Sequence, residues 1–401
     1  MTKVVLVWEM GSDLGHISRL DALAQHLCKR GHQVTCIFSD LSQLPRLHAR
    51  WNECPYRVLE GPKWQDRKLK LSRLPVSLTE VLLSIGFYKS QTISEKISRW
   101  RELFAGLQPE VIVYDYAPTA ALATRDLSCR KINLGDPFSL PPARSPLPIF
   151  AHGIKVSEAN LETSDRRLVD TINESLRTFN LETIQYAHEI FAADKTFLLS
   201  IPELDPFSFI RTSEQYTTPF YMQQNGCHPL NWANDSRKRI FAYLKPLYPH
   251  LGELMAAASS LDIQGRFFIP GAPQSLVDTY QNSNIEVMTT PYDLTDLNQS
   301  DLVICHAGHS TLAQSILNGI PSVLIPLQQE QMCITQKAIF SRISEGISHQ
   351  LSDVESLRGI LINTLNDMSL RHRVKNCAEH YRQRFTKSVL DTLTEQIENH
   401  S

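Results

Sequence analysis

The 401-residue sequence nowhere has about 18 consecutive apolar residues, so no membrane-spanning helix is expected. It also lacks a surplus of either charge. Forty Lys and Arg face 42 Asp and Glu, a net charge of −2, whereas a nucleic-acid binder would concentrate basic residues on a face or an arm. Basic runs such as Arg67 to Lys70 read as solvated surface. The eight cysteines (28, 36, 54, 129, 227, 305, 333 and 377) stand singly, with no Cys-x-x-Cys pair and no regular framework. That spacing argues against a disulfide scaffold and a zinc site, and leaves buried thiols in a reducing compartment. Cys28, Cys36 and Cys305 fall inside expected helix or strand, where a small apolar side chain suffices. There is no Asp-x-Asp pair to hold a divalent cation, and no metal or cofactor is expected. The run Met1 to Val7 is too short for a signal-peptide core and has no small-residue cleavage site, so it reads as a first strand of a cytoplasmic protein.

The composition is ordinary for a globular protein, 42% hydrophobic and 20% charged. The chain exceeds the about 250 to 300 residues that one core sustains, so two domains are expected. Val4 to Trp8 is a β-rich run, Glu9 to Gly15 carries turn signals, and Ile17 to Arg30 places Leu20, Leu23, Ala24 and Leu27 at helical spacing before Gly31. Val34 to Phe38 follows as a strand, completing a βαβ unit that sterics make right-handed. Glu110 to Tyr114 is another strand, ending at Asp115, and Ala117 to Asp126 reads as a small-residue helix. Leu59 to Ser90 has no clean period and Gly135 to Gly153 is rich in proline, so both are expected as loop excursions near the carboxyl ends of the strands, where open α/β sheets bind ligands. Periodicity breaks from Ile201 to about Gln224, which reads as the interdomain linker. Strands restart at Ile240 to Leu244, Arg266 to Ile269, Ile285 to Met288, Asp301 to Cys305 and Ser322 to Ile325, and Asp353 to Glu395 is helical in period. The fold class expected is α/β, with two doubly wound parallel-sheet domains.

The most informative stretch begins with the strand Asp301 to Cys305. It passes through His306-Ala307-Gly308-His309-Ser310-Thr311 into the helix Leu312 to Asn318, closed by Gly319. A strand running through a small-residue turn into a helix aims backbone N–H groups and the positive end of the helix dipole at one point, which suits a diphosphate. Ser310 and Thr311 add hydroxyl donors. Ile320-Pro321-Ser322-Val323-Leu324-Ile325-Pro326 and Leu327-Gln328-Gln329-Glu330-Gln331 follow. The ordered set His-x-Gly-x-x-Thr, small-residue helix, Gly-x-Pro-x-Val-x-x-Pro, acidic-Gln resembles the donor-binding motif of the family 1, UDP-glycosyltransferase-like enzymes, macrolide glycosyltransferases included.

The resemblance implies a GT-B architecture of two Rossmann-like domains facing a cleft. These are an acceptor-binding domain at 1–215, a donor-binding domain at 216–375, and a terminal helix at 376–401 returning to the first domain. It implies His306, Gly308, Ser310 and Thr311 at the donor diphosphate, and Glu330 with Gln331 at hydroxyls of the donor sugar. Gln314 stands where the family usually has a ribose-binding Glu; an amide still donates and accepts there, without charge. Ala242-Tyr243-Leu244-Lys245 stands where the family commonly has a Ser/Gly-rich phosphate loop. Lys245 offers a cation to the diphosphate, against the reading of a surface lysine at a strand end.

Gly15-His16-Ile17-Ser18-Arg19 lies between the first strand and its helix. Relatives commonly show Gly-His-x-x-Pro here, with the histidine as catalytic base; Arg19 replaces the proline. A sugar acceptor's hydroxyl is a weak nucleophile, and an imidazole can take its proton as it attacks the anomeric carbon. Asp115 matches the family's aspartate that orients the base and stabilises the imidazolium. Isolated histidines such as His32 and His152 read as structural or exposed.

The function expected is inverting, metal-independent sugar transfer from a nucleoside-diphosphate sugar, a co-substrate, to a small-molecule or lipid acceptor. The rival readings are a 2-epimerase or hydrolase of the same fold, whose carboxylates have no clear counterpart here, and a binding-only partner protein. Trp64, Phe87, Tyr88, Phe138 and the Pro141-Pro142 pair hint at an apolar or aromatic acceptor, with ordinary packing an equal alternative. Any membrane association would be peripheral. UDP, dTDP and GDP donors are not separated, because the base pocket near Pro291 and Tyr292 would be read through backbone atoms, and oligomeric state is left open.

Overall fold

The structure, a computed structural model, describes all residues except 12–13, 43, 45–53, 65–68, 70–72, 151–153, 213–215, 220–227, 282, 295, 348–350 and 400–401. Cys227, His152, Arg67 and the end of the expected linker lie outside the described residues. The chain forms two compact units, Met1–Met222 with Lys387–Ser401, and Gln223–Thr386.

The first unit runs β1 (Lys3–Trp8), α1 (Leu14–Lys29), β2 (Gln33–Phe38), β3 (Arg57–Glu60), α2 (Leu78–Leu82), α3 (Ser90–Ala105), β4 (Val111–Asp115), α4 (Pro118–Ala123), β5 (Arg130–Gly135), α5 (Glu158–Thr178), β6 (Lys195–Leu199) and β7 (Tyr216–Thr217). Its seven strands are ordered β3-β2-β1-β4-β5-β6-β7, all parallel. The two faces of β1 explain its unbroken apolar run. Val5 and Val7 join a core with Ile97, Trp100 and Phe104 of α3, while Val4, Leu6 and Trp8 join another with Leu20, Leu23 and Leu27 of α1. A strand buried on both faces has no polar alternation to show.

Two expected irregular stretches contain regular structure. Leu59 to Ser90 includes the end of β3, α2 and a π-helical turn, Leu83–Phe87, with Leu82 and Phe87 fully buried. The turn is accommodated by Gly86 at φ 139°, and such a short mixed-geometry segment has no single period to read. The segment read as linker contributes β7, which pairs with β6 through Leu198 and Leu199, while the Tyr216 hydroxyl donates to the fully buried Asp205 at 2.7 Å.

The second unit comprises β8 (His228–Pro229), β9 (Lys238–Tyr243), α6 (Leu251–Ser259), β10 (Ile263–Phe268), α7 (Gln274–Tyr280), β11 (Ile285–Met288), β12 (Tyr292–Asp293), β13 (Leu302–Cys305), α8 (His309–Leu317), β14 (Ser322–Leu324), α9 (Gln329–Phe340), β15 (Glu345–Gly346), α10 (Val354–Asn366) and α11 (Met368–Arg384). Six parallel strands are ordered β11-β10-β9-β13-β14-β15, and β8 pairs with β12. Ile240, Ala242, Leu302, Ile304 and Val323 form its core with side chains of α6 and α10.

The unit boundaries fall at 222/223 and 386/387, against the expected 215/216 and 375/376. Residue 375 lies inside α11, which packs on α8 and belongs to the second unit. Only α12 (Val389–Glu398) joins the first unit, burying Val389, Leu393 and Ile397 in the α1 side of its core.

Candidate active site

In the parallel register of β1 and β4, Trp8 stands opposite Asp115, so the carboxyl ends of both strands arrive together. The loops beyond them are tied by Met10 N–H donating to Tyr116 O at 3.0 Å. His16 sits in the first turn of α1, its ring stacked on Trp8 with centroids 5.7 Å apart. Its Nδ1 lies 2.8 Å from Oδ1 of Asp115, a fully buried carboxylate. The structure thus brings the expected base and its expected orienting partner together. A proton on Nδ1 donated to Asp115 leaves Nε2 with its lone pair, the form a general base needs.

Two neighbours were not read from the sequence as part of this group. Arg19 donates from Nε to Asp115 Oδ2 at 2.5 Å and from Nη2 to Oδ1 at 3.0 Å, and Nη2 also stands 2.7 Å from His16 Nδ1. Its Nη2 is 3.8 Å from Asp136, just beyond β5. Arg19 is three residues after His16, so helical geometry puts both on one face, and that spacing was the signal available. Gly11 has φ 95°, and a β-carbon there would stand 2.5 Å from His16 Nε2. Only glycine satisfies both the backbone conformation and the space for the ring.

Glu9, at the end of the same strand, is buried with its carboxylate accepting from Thr119 N (2.8 Å), Ala120 N (3.2 Å), Trp64 Nε1 (2.9 Å) and the Thr119 hydroxyl. Burial raises its pKa, outweighing these donors. Trp64, its N–H committed to Glu9, stacks on the fully buried Phe87 at 4.8 Å. Phe138 packs on the fully buried Phe150 at 4.9 Å, and Lys89 covers the Tyr88 ring at 5.2 Å. Pro142 is buried. The aromatic residues considered for the acceptor therefore have packing partners of their own.

In the second unit, His306 follows β13 and is buried. Its Nδ1 donates to Ile325 O at 2.7 Å and its Nε2 accepts from Lys245 N at 2.7 Å. The imidazole so joins the carboxyl ends of β9, β13 and β14, with both ring nitrogens engaged by backbone. That is a different employment from the diphosphate contact expected of it. Lys245 itself is half-buried, its N–H committed to this joint. Ala307 turns the chain at φ 57°, Gly308 is the residue before α8, and the amides of His309, Ser310 and Thr311 form the first helical turn with no side-chain cap. First-turn amides have no acceptor within their own helix and suit an anion. The half-buried Ser310 and Thr311 stand in that turn.

Gln314 lies one turn further along α8, 6% exposed, with no side-chain hydrogen bond among the described residues. Gln331 accepts from Leu327 N (2.8 Å) and Gln328 N (3.1 Å) through Oε1, capping α9. Its oxygen is thereby spent on the helix, and Glu330 beside it is half-buried in the first turn.

Residues 270–387 match the glycosyltransferase family 28 C-terminal domain. Over 382 residues, 90% of this chain and 89% of the relative, the chain is 22% identical to NDP-glycosyltransferase YjiC of Bacillus subtilis (strain 168). It is similar in structure to glycosyltransferase VinC in complex with dTDP, with a TM-score of 0.72, 14% identity and 98% of both chains covered. It is likewise similar to spinosyn rhamnosyltransferase SpnG complexed with spinosyn aglycone, with a TM-score of 0.68, 15% identity and 100% of both chains covered. Both units carry the parallel α/β sheets of the GT-B fold. No helix among the described residues is long and apolar enough to cross a membrane.

Proposed function

We propose that this chain, a GT-B glycosyltransferase similar to the family 1 enzymes, transfers a sugar from a nucleoside-diphosphate donor to a hydroxyl of a small-molecule acceptor, inverting the anomeric centre without a metal. The observation that carries the reading is the 2.8 Å contact between His16 and the fully buried Asp115 at the carboxyl ends of β4 and β1. His16 Nε2 takes the acceptor proton while Asp115 holds the ring. The amides of the first turn of α8, with the Ser310 and Thr311 hydroxyls, receive the charge that develops on the departing diphosphate. In this reading Gln314, buried in α8, meets the ribose and Glu330, in the first turn of α9, the donor sugar. A single displacement by the activated hydroxyl inverts the centre. The complexes of VinC with dTDP and of SpnG with spinosyn aglycone support a nucleotide donor and an acceptor of natural-product type.

The test is transfer and donor hydrolysis by wild type and His16→Ala, with UDP-, dTDP- and GDP-glucose and a panel of phenolic and alcoholic acceptors. Transfer should fall by about 10²-fold or more in His16→Ala, with nucleotide binding kept. Undiminished transfer in the variant defeats the assignment of the base. Hydrolysis without transfer in wild type favours the hydrolase reading.

A further inference from the structure

We propose that the surface formed by the end of α9 and the start of α11 docks this chain on an anionic lipid surface, its apolar side chains entering the acyl boundary and its cations meeting headgroup phosphates, independently of any role of His16. Phe340, the last residue of α9, is 82% exposed, Ile339 beside it 42%, and Met368, the first residue of α11, 71%. Helix α9 buries Gln331, Ile334, Thr335 and Ala338 against its own unit, which turns Gln336 and Phe340, one turn apart, to the outward face. The two helix ends are joined. Arg373 donates from Nε to Arg342 O at 2.7 Å and from Nη1 to Ser369 Oγ at 3.1 Å, and Phe340 and Met368 stand close in sequence to those two acceptors. Lys337 Nζ lies over the Phe340 ring, 5.5 Å from its centroid. One exposed apolar side chain is ordinary, whereas three set among three cations mark an interaction site.

Carboxylates near the patch are engaged elsewhere. Asp301 is 3.2 Å from both Lys238 and Arg371, and Asp367 caps α11 by accepting from Leu370 N at 2.8 Å. Arg342 and Arg373 have no carboxylate partner among the described residues. The exposed Glu345 offsets one positive charge and leaves the patch cationic. Lys and Arg lay apolar stems along an acyl boundary with their charged heads among phosphates, and an anionic leaflet attracts each of them. Phe and Met supply the apolar contact that such attachment also needs. A symmetric pairing of two copies through this patch would set the same cations against one another. A protein partner would have to offer pockets shaped to side chains that project, whereas a fluid lipid surface adapts to them.

The patch lies at the edge of the second sheet where its strands begin. Helix α9 ends just before β15, and Arg371, in the first turn of α11, donates to the carbonyl of Asp301, just before β13. The first turn of α8 follows the carboxyl end of β13, so it stands at the opposite end of the same parallel strands. Seating the amino edge on lipid leaves that carboxyl end open, and docking does not compete with a nucleotide there.

The experiment is cosedimentation of the full chain with vesicles of phosphatidylcholine alone and of phosphatidylcholine and phosphatidylglycerol in equal parts. Wild type should bind the anionic vesicles and leave the neutral ones, and raising salt from about 0.1 to about 0.5 M should weaken the binding. Phe340→Ser should lower the partition about tenfold or more, and Arg342→Gln about fivefold, with unfolding temperatures kept because both positions are exposed. Addition of UDP, dTDP or GDP should leave vesicle binding unchanged. A wild type that ignores anionic vesicles overturns the proposal even if a variant fails to fold. Binding undiminished in both variants puts the contact on another face and overturns it as well, as does displacement by a nucleotide, which would place the lipid at the carboxyl end of the sheet. Self-association without vesicles, abolished by Phe340→Ser in sedimentation velocity, would make the patch an interface between copies and end the lipid assignment.

Discussion

A β-carbon at position 11 would collide with His16 Nε2, the atom proposed to take the acceptor proton. The sequence showed a glycine in the turn after β1 but not which ring it accommodates, because that depends on the stacking of His16 over Trp8. His16 and Asp115 were legible because their positions in a strand-turn-helix pattern are local. Arg19 was legible only as a departure from proline, since its partners Asp115 and Asp136 lie 96 and 117 residues away in sequence. His306 shows the converse. Its motif is local, but its chemistry is set by Lys245 and Ile325 on neighbouring strands. Replacing it with alanine strands one buried backbone donor and one acceptor, each worth about 1 to 3 kcal/mol. His306→Ala is therefore expected to lower the unfolding temperature and weaken nucleotide binding together. A variant that loses binding at unchanged stability would return the imidazole to the phosphate.

At the scale of elements, Glu9 fastens the end of β1 to the start of α4, accepting from the amides of Thr119 and Ala120. Its ordinary pKa is 4.5 and burial raises it in the folded protein. Below about pH 4.5 the group is protonated in both folded and unfolded chains and burial carries no charge penalty. As pH rises through the folded value the unfolded chain ionises more readily, and stability is lost until both states are ionised. Glu9→Gln removes this titration, although its amide is a poorer acceptor for the donors around it. Urea unfolding from pH 4 to 8 should show wild type losing stability relative to Glu9→Gln on the way up; a constant difference across that range would mean that the carboxyl titrates alike in the folded and unfolded chains. The strands of this region were legible because both faces of the sheet are buried. The 21-residue helix α5 was not, because its buried face carries Asp165, Asn173 and Ser175 beside Leu168, Ile172 and Leu176, which breaks the apolar stripe.

For the whole molecule, chain length predicts two cores, and two units with separate cores are present. Their boundaries were less legible, because the chain contributes β7 before leaving the first unit and returns to it with α12 only after α11. The proposed division of labour makes a thermodynamic prediction. A nucleoside diphosphate gripped by the first turn of α8 stabilises the 223–386 unit by RT ln(1 + [L]/Kd), about 2.7 kcal/mol at 100 times Kd. For a domain of that size this is about 5 to 10 °C. Calorimetry with UDP, dTDP and GDP in separate runs should raise one transition by that amount with the preferred nucleotide, and His306→Ala identifies it as the transition that the substitution lowers. Because His16 belongs to the other unit, His16→Ala should leave the nucleotide-induced shift intact while abolishing transfer. A shift lost in His16→Ala, or none with any of the three nucleotides, would contradict a donor site built on α8.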